Sequence, residues 1–138
     1  MFVINDIELL ERLSKHKILS YLMQYCVISV AGIRVSDYSL RIRLLIQSLT
    51  GINIVHVEKA DFDEWAASRR KYLAISDLST IFVALSNKSA ILVLSPEDQL
   101  LINEAKNNGI MYVQFDDFFV KMIKDEKLIK LYNLIKAA

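Results

Sequence analysis

Carboxylates punctuate the ends of the apolar runs in this chain, and their positions are the first sign of chemistry. Asp6 follows the run Phe2-Val3-Ile4-Asn5, and Asp37 lies shortly after the run at residues 26–30. Asp77 opens an apolar helical pattern, and Glu97 and Asp98 follow the run at residues 90–94. Carboxylates gathered at one point bind hard divalent cations such as Mg²⁺ or Mn²⁺ through oxygen. A metal held this way activates water and stabilises charge on a phosphoryl group during phosphodiester cleavage. Each acid alone has a simpler use, because an Asp at a helix N-terminus caps the helix and meets its dipole. The joint placement at one edge of a fold is what raises the metal reading. It requires Asp6 and Asp77, 71 positions apart, to meet, and carboxylates that close repel, so at least one should have a raised pKa.

Other reactive side chains carry less. His16 stands between Lys15 and Lys17 on a solvated helix, and His56 ends an apolar run; the two lack metal-ligand spacing. Cys26, the single cysteine, excludes an internal disulfide and reads as a small buried hydrophobe. No nucleophile elbow and no glycine-rich phosphate loop occurs. Arginines are the better candidates for contact with an RNA backbone: Arg34, Arg41 and Arg43 around the second helix, then Arg69 and Arg70 before Lys71. A solvated charged face is the competing reading.

The elements that must position these groups alternate. Apolar, β-branched runs at residues 2–5, 26–30, 52–57, 90–94 and 110–115 predict five strands covered on both faces. Between them lie helical patterns. One spans residues 6–24, with Leu9, Leu10, Leu13 and Ile18 as its stripe. A second is capped by Ser36 or Asp37, with Leu40, Leu44, Leu45 and Leu49 inward. A third opens at Asp61 or Asp63 and carries Trp65 and Tyr72, and a fourth has Ser76 as cap before Leu78, Ile81, Phe82 and Leu85. Ser95-Pro96-Glu97-Asp98 reads as a helix start, with Asn107-Asn108-Gly109 as its stop. Asp116 and Asp117 cap a short helix, and residues 127–136 form the last. Alternation of this kind predicts a three-layer α/β/α sandwich with a five-stranded parallel sheet, the first strand central. Ligands then collect beyond the carboxyl ends of the strands, where the acids lie.

Composition fits one domain over residues 1–138. Hydrophobic residues make up 54% and charged residues 24%, which excludes a disordered chain. Seventeen Lys and Arg against sixteen Asp and Glu leave +1, so no global field points to nucleic acid or membrane, and an RNA partner needs a local patch. The longest uncharged stretch, residues 18–33, has 16 residues, short of the roughly 20 that a span requires. The expectation is a soluble protein of the reducing cytoplasm. Excess apolar content predicts a homodimer, with Tyr21, Tyr25, Tyr38 and Ile42 adding apolar area on the first two helices.

The stretch Leu73-Ala74-Ile75-Ser76-Asp77-Leu78-Ser79-Thr80-Ile81-Phe82-Val83-Ala84 resembles the signature of PIN domains, in which a leucine precedes an aspartate and an apolar helix. Residues 90–110, from Ala90 through Ser95-Pro96-Glu97-Asp98 to Gly109-Ile110, resemble the family's fourth strand, acidic loop, helix and final turn. The opening residues 2–10 fit its first strand and first aspartate. The resemblance implies a PIN-like fold and a Mg²⁺- or Mn²⁺-dependent ribonuclease, many relatives being toxins held by an antitoxin protein. By position it makes Asp6 the first metal-binding acid, Asp77 the third and either Glu97 or Asp98 the fourth, with Asp37 nearest to the second. The chain departs from the pattern at Ile7 and Glu8 after the first acid, and at residues 31–37, where the family carries a proline and a glutamate. Those departures support an alternative: a degenerate PIN-like domain that binds a protein partner or RNA without cleavage.

Overall fold

In a computed structural model, residues 1–15, 18–49, 51–118 and 125–137 are described. His16 lies outside them. Five strands, β1 (Phe2–Ile4), β2 (Ile28–Ala31), β3 (Ile52–Val55), β4 (Ile91–Leu94) and β5 (Tyr112–Gln114), form one sheet in the order β3-β2-β1-β4-β5. Every pairing is parallel. Helices α1 (Ile7–Lys15) and α2 (Leu19–Leu22) follow β1, while α3 (Gly32–Ser36) and α4 (Leu40–Ser48) follow β2. Then come α5 (Lys59–Ala66) and α6 (Ile75–Leu85) before β4, α7 (Gln99–Asn107) before β5, and α8 (Phe115–Asp117) and α9 (Glu126–Ala137) after it. Three layers result, with β1 central as its short, wholly apolar run predicts.

Strand pleating divides the core in two. Ile4, Ile28, Val30 and Val93 point to one face and pack against α1, α2, α4 and α9 through Leu10, Leu13, Leu22, Ile46 and Leu128. Val3, Ala31, Leu92 and Leu94 point to the other and meet α5, α6 and α7 through Phe62, Leu78, Ile81 and Leu101. Side chains that alternate faces yet are apolar on both are what a parallel sheet between helices requires. Phe62, Trp65 and Phe82 form an aromatic trio joining α5 to α6, with Trp65 tilted against both phenylalanines and the two phenylalanines edge to face. Among the described residues, no helix is long and apolar enough to cross a membrane.

Several element boundaries differ from the sequence expectation. The stripe over residues 6–24 belongs to two helices, α1 and α2. The second helix is not capped by Ser36 or Asp37. A short α3 starts directly at Gly32; the Ser36 hydroxyl donates back to Ile33 O at 2.8 Å, and Asp37 stands at the C-terminal cap. In α4 the inward side chains are Ile42 and Ile46, not Leu40 and Leu44, which are exposed. Leu40-Arg41-Ile42-Arg43-Leu44-Leu45-Ile46 carries two apolar stripes, and periodicity alone does not choose between them. Ile42 is therefore a core residue and not part of a dimer face. Tyr38 is half-buried against Arg34, while Tyr25 donates to Asp125 Oδ2 at 2.5 Å and Lys127 sits 4.4 Å over the Tyr21 ring.

Helix α5 starts earlier than Asp61, because the Glu58 carboxylate accepts from Ala60 N and Asp61 N at 3.2 and 2.7 Å, and Tyr72 lies beyond its end. Those two backbone donors hold the Glu58 carboxyl below its usual range. Ser76 lies inside α6, with Ala74 at the cap. Pro96 occupies the second position of a turn closed by Asp98 N donating to Ser95 O at 3.1 Å, so α7 begins only after Asp98.

The connection into β3 turns on Gly51, whose φ of +97° lies where a β-carbon is strained. Gly51→Ala should lower unfolding free energy by about 1–2 kcal/mol in urea titrations. An unchanged midpoint would show that the turn relaxes.

Candidate functional site

In the order β3-β2-β1-β4-β5 the chain reverses direction between β1 and β4, and the carboxyl ends of these strands open the crevice where parallel sheets place ligands. Asn5 and Asp6 leave β1 there, residues 95–98 leave β4, and Arg34 arrives from α3 after β2. Asp77 arrives in the first turn of α6, packed across the sheet face.

An asparagine, not an aspartate, faces Asp77. Asn5 is 2% exposed; its Nδ2 donates to Asp77 Oδ1 at 3.2 Å and its Oδ1 accepts from Thr80 Oγ1 at 2.7 Å. Asp6 turns to its own helix, where its Oδ1 accepts from Glu8 N and Leu9 N at 3.1 and 3.3 Å. It thus fills the capping role available to any Asp at this place. Arg34 closes the group. Its Nε donates to Asn5 O at 2.9 Å, Nη1 lies 3.2 Å from Ser76 Oγ and 3.1 Å from Asp77 Oδ1, and Nη2 donates to Tyr38 OH at 3.2 Å. A planar fork with donors on both edges suits four such partners at once, which a lysine could not meet.

Glu97 is exposed and accepts from the Ser95 hydroxyl. Asp98, half-buried at the start of α7, makes no capping bond with its side chain. Its carboxyl is pushed above the usual range, first by burial and then by the charges of Asp77 and Asp6, against the pull of Arg34. Asp77, in the first turn of α6, and Asp6, after β1, thus lie near enough to Asp98 to add to the effect of its burial. Asp37 is exposed beyond α3.

Two clefts adjoin, both lined by Glu97. One, of about 220 Å³, runs between the starts of α6 and α7 past Tyr72, Leu73, Asp77, Asp98 and Leu100. The other, of about 280 Å³, is walled by Asp6, Arg12, Ser95, Phe115 and Tyr132.

The placement of the acids relative to one another and to Arg34 bears on a metal. Among the described residues no three His, Cys, Asp or Glu side chains come together as a metal-holding group, and a guanidinium stands against the Asp77 oxygen that a cation would take. The arginines expected to track RNA are also engaged. Besides Arg34, Arg41 pairs with Glu11 at 2.5 Å, Arg69 with Glu104 at 2.7 Å and Arg70 with Asp63 at 3.5 Å.

The Arg69 pair is the most elaborate. Glu104, its side chain 5% exposed, accepts from Arg69 Nε, from Tyr72 OH at 3.1 Å and from Asn108 Nδ2 at 3.0 Å. Arg69 Nη1 donates to Trp65 O at 2.7 Å while its guanidinium lies 4.3 Å over the Trp65 ring. The network fixes Tyr72 at the mouth of the smaller cleft. Burial pushes the Glu104 carboxyl up, but the three hydrogen bonds together hold it below the usual range.

His56 is exposed just past β3, and Cys26 is half-buried, its thiol pushed up to about 11 by desolvation. No family model, no curated protein and no solved structure matches the chain.

The Asp98 shift gives a pH prediction. A carboxyl whose folded pKa is raised contributes stability that is complete below the unfolded pKa, about 3.9, and is lost as pH rises through the folded value. Wild-type protein should lose more stability across that window than Asp98→Asn, as read by thermal melts at stepped pH. Parallel curves would mean that neither burial nor the neighbouring charges of Asp77 and Asp6 raise Asp98.

Proposed function

We propose that this chain is a PIN-like binding module that does not cleave RNA, and that its acidic edge receives a basic segment of a protein partner. The observation that carries this reading is Arg34: the edge already accepts a guanidinium, 3.1 Å from Asp77, at the centre of its polar network. Asp98 and Glu97 extend the same acidic surface into an adjoining, mainly polar cleft at which Tyr72 and Leu100 are exposed, a setting for an arginine or lysine with an apolar neighbour. A phosphate backbone approaching Asp6, Asp77, Glu97 and Asp98 without a bridging cation meets like charge. Arg69 is committed to the buried Glu104, which thins the basic track that RNA would need. The single, burial-deactivated thiol of Cys26 agrees with a reducing cytoplasmic setting.

A second reading, a Mg²⁺- or Mn²⁺-dependent ribonuclease of the toxin–antitoxin kind, is favoured by one observation, the nearness of Asp6 and Asp77 to the half-buried Asp98. It requires Arg34 to leave Asp77 and open the acids to a metal. Two measurements separate the readings. Calorimetric titration with tetra-arginine should show salt-sensitive binding that Glu97→Gln with Asp98→Asn weakens. Incubation with single-stranded RNA and Mn²⁺ should give no cleavage above that of Asp77→Asn. Cleavage by wild type alone would establish the enzyme and overturn the binding module.

A further inference from the structure

We infer that the basic segment received by the acidic edge is helix α4 of a second copy of this chain. The inference rests on the reading of that edge as a binding site and names its partner. Leu40 and Leu44, 61% and 55% exposed, form a ridge on the side of α4 opposite the buried Ile42 and Ile46. At roughly 100° per residue, Arg41 and Arg43 fall on either flank of that ridge. Helix α4 contains no acid, so its outward surface is apolar in the middle with the exposed Arg41 on one flank and the half-buried Arg43 on the other. Arg41 has only a surface pair with Glu11, of the kind exchanged at little cost.

The cleft between α6 and α7 presents the complement. Tyr72 and Leu100, both exposed, offer the apolar contact, and Glu97 and Asp98 the charge. A chain that is near neutral overall, at +1, yet carries an acid-free basic helix and an acidic cleft has opposite charges available for self-association without net repulsion. Donor and receiving surfaces differ, so two copies either exchange α4 reciprocally in a two-fold dimer or, where only one contact forms, extend head to tail.

Sedimentation equilibrium up to roughly 100 µM, a range that reveals micromolar contacts, tests this. Wild-type protein should associate, more weakly in high salt. Leu44→Asp, Arg41→Glu and Glu97→Lys, all at exposed positions, should each raise the dissociation constant about tenfold or more. The double variant carrying Arg41→Glu and Glu97→Lys should recover most of the loss. Circular dichroism melts confirm that each variant is folded. A monomeric wild type, association indifferent to Leu44→Asp, or single losses without recovery in the double variant would each overturn the inference. A monomer that still binds tetra-arginine overturns only the second copy as partner and leaves the reading of the edge standing; loss of both refutes both.

Discussion

Replacing Arg34 with alanine should lower unfolding free energy by about 2–3 kcal/mol, and the melting temperature by roughly 5–10 °C. The side chain ties the end of β1 to α6 and to Tyr38, and its removal leaves Asp77 facing the charges already felt by Asp98. A vacancy of that sign should be open to cations. Millimolar Mn²⁺ should restore part of the loss in Arg34→Ala and leave wild type unchanged. Arg34→Lys should recover less than half, because a single ammonium does not reproduce the fork. Thermal melts with and without Mn²⁺ decide the matter. A variant as stable as wild type, or one indifferent to Mn²⁺, would show that the acids do not form one electrostatic site.

Glu104→Ala should cost more, about 3–4 kcal/mol by urea titration, since it strands a half-buried guanidinium and opens a gap where the buried carboxylate sat. Glu104→Gln, which keeps the shape and part of the bonding, should cost less. The pH dependence has a definite sign. A carboxyl with a depressed folded pKa contributes stability that is present above the unfolded pKa, about 4.3, and lost as pH falls through the folded value. The gap between wild type and Glu104→Gln should therefore narrow below about pH 4. A gap that stays constant in acid would mean that the charge on Glu104 is not what the network holds.

Much of the scaffold is legible in the residues themselves. Runs such as Ile91-Leu92-Val93-Leu94 have no polar face to offer water, so they must be strands covered on both sides, and the parallel sheet follows. The gathering of acids at the carboxyl edge follows from the same topology. Arg34 was not legible as a structural cation, because a basic residue near a strand end reads equally well as a phosphate contact. One signal pointed to it. Between residue 18 and Asp37 it is the single charge, and a lone charge that far inside an apolar stretch needs an internal partner. Asn5 was hidden for the opposite reason: a neutral amide ending an apolar run attracts no attention until Thr80 and Asp77 are seen on its two sides. Leu40 and Ile42 mark the limit of periodicity, since a helix apolar on two faces gives its orientation only when its neighbours are in place.

The central position of β1 sets an order on assembly. Phe2 pairs with Ile28 on one side and with Ile91 on the other, so the middle of the sheet joins the N-terminal strand to one made much later in the sequence. During synthesis, the β1–β2–β3 half exists while its β4 neighbour has yet to be made. One edge of β1 stays unpaired meanwhile, and Val3 lacks its partners Leu92 and Leu94. Such nascent chains carry an open, apolar strand edge, the template for wrong pairing between molecules. A ribosome stalled after β3 should thus hold a chain that chaperones bind and proteases cut, and protection should arrive in one step once β4 emerges.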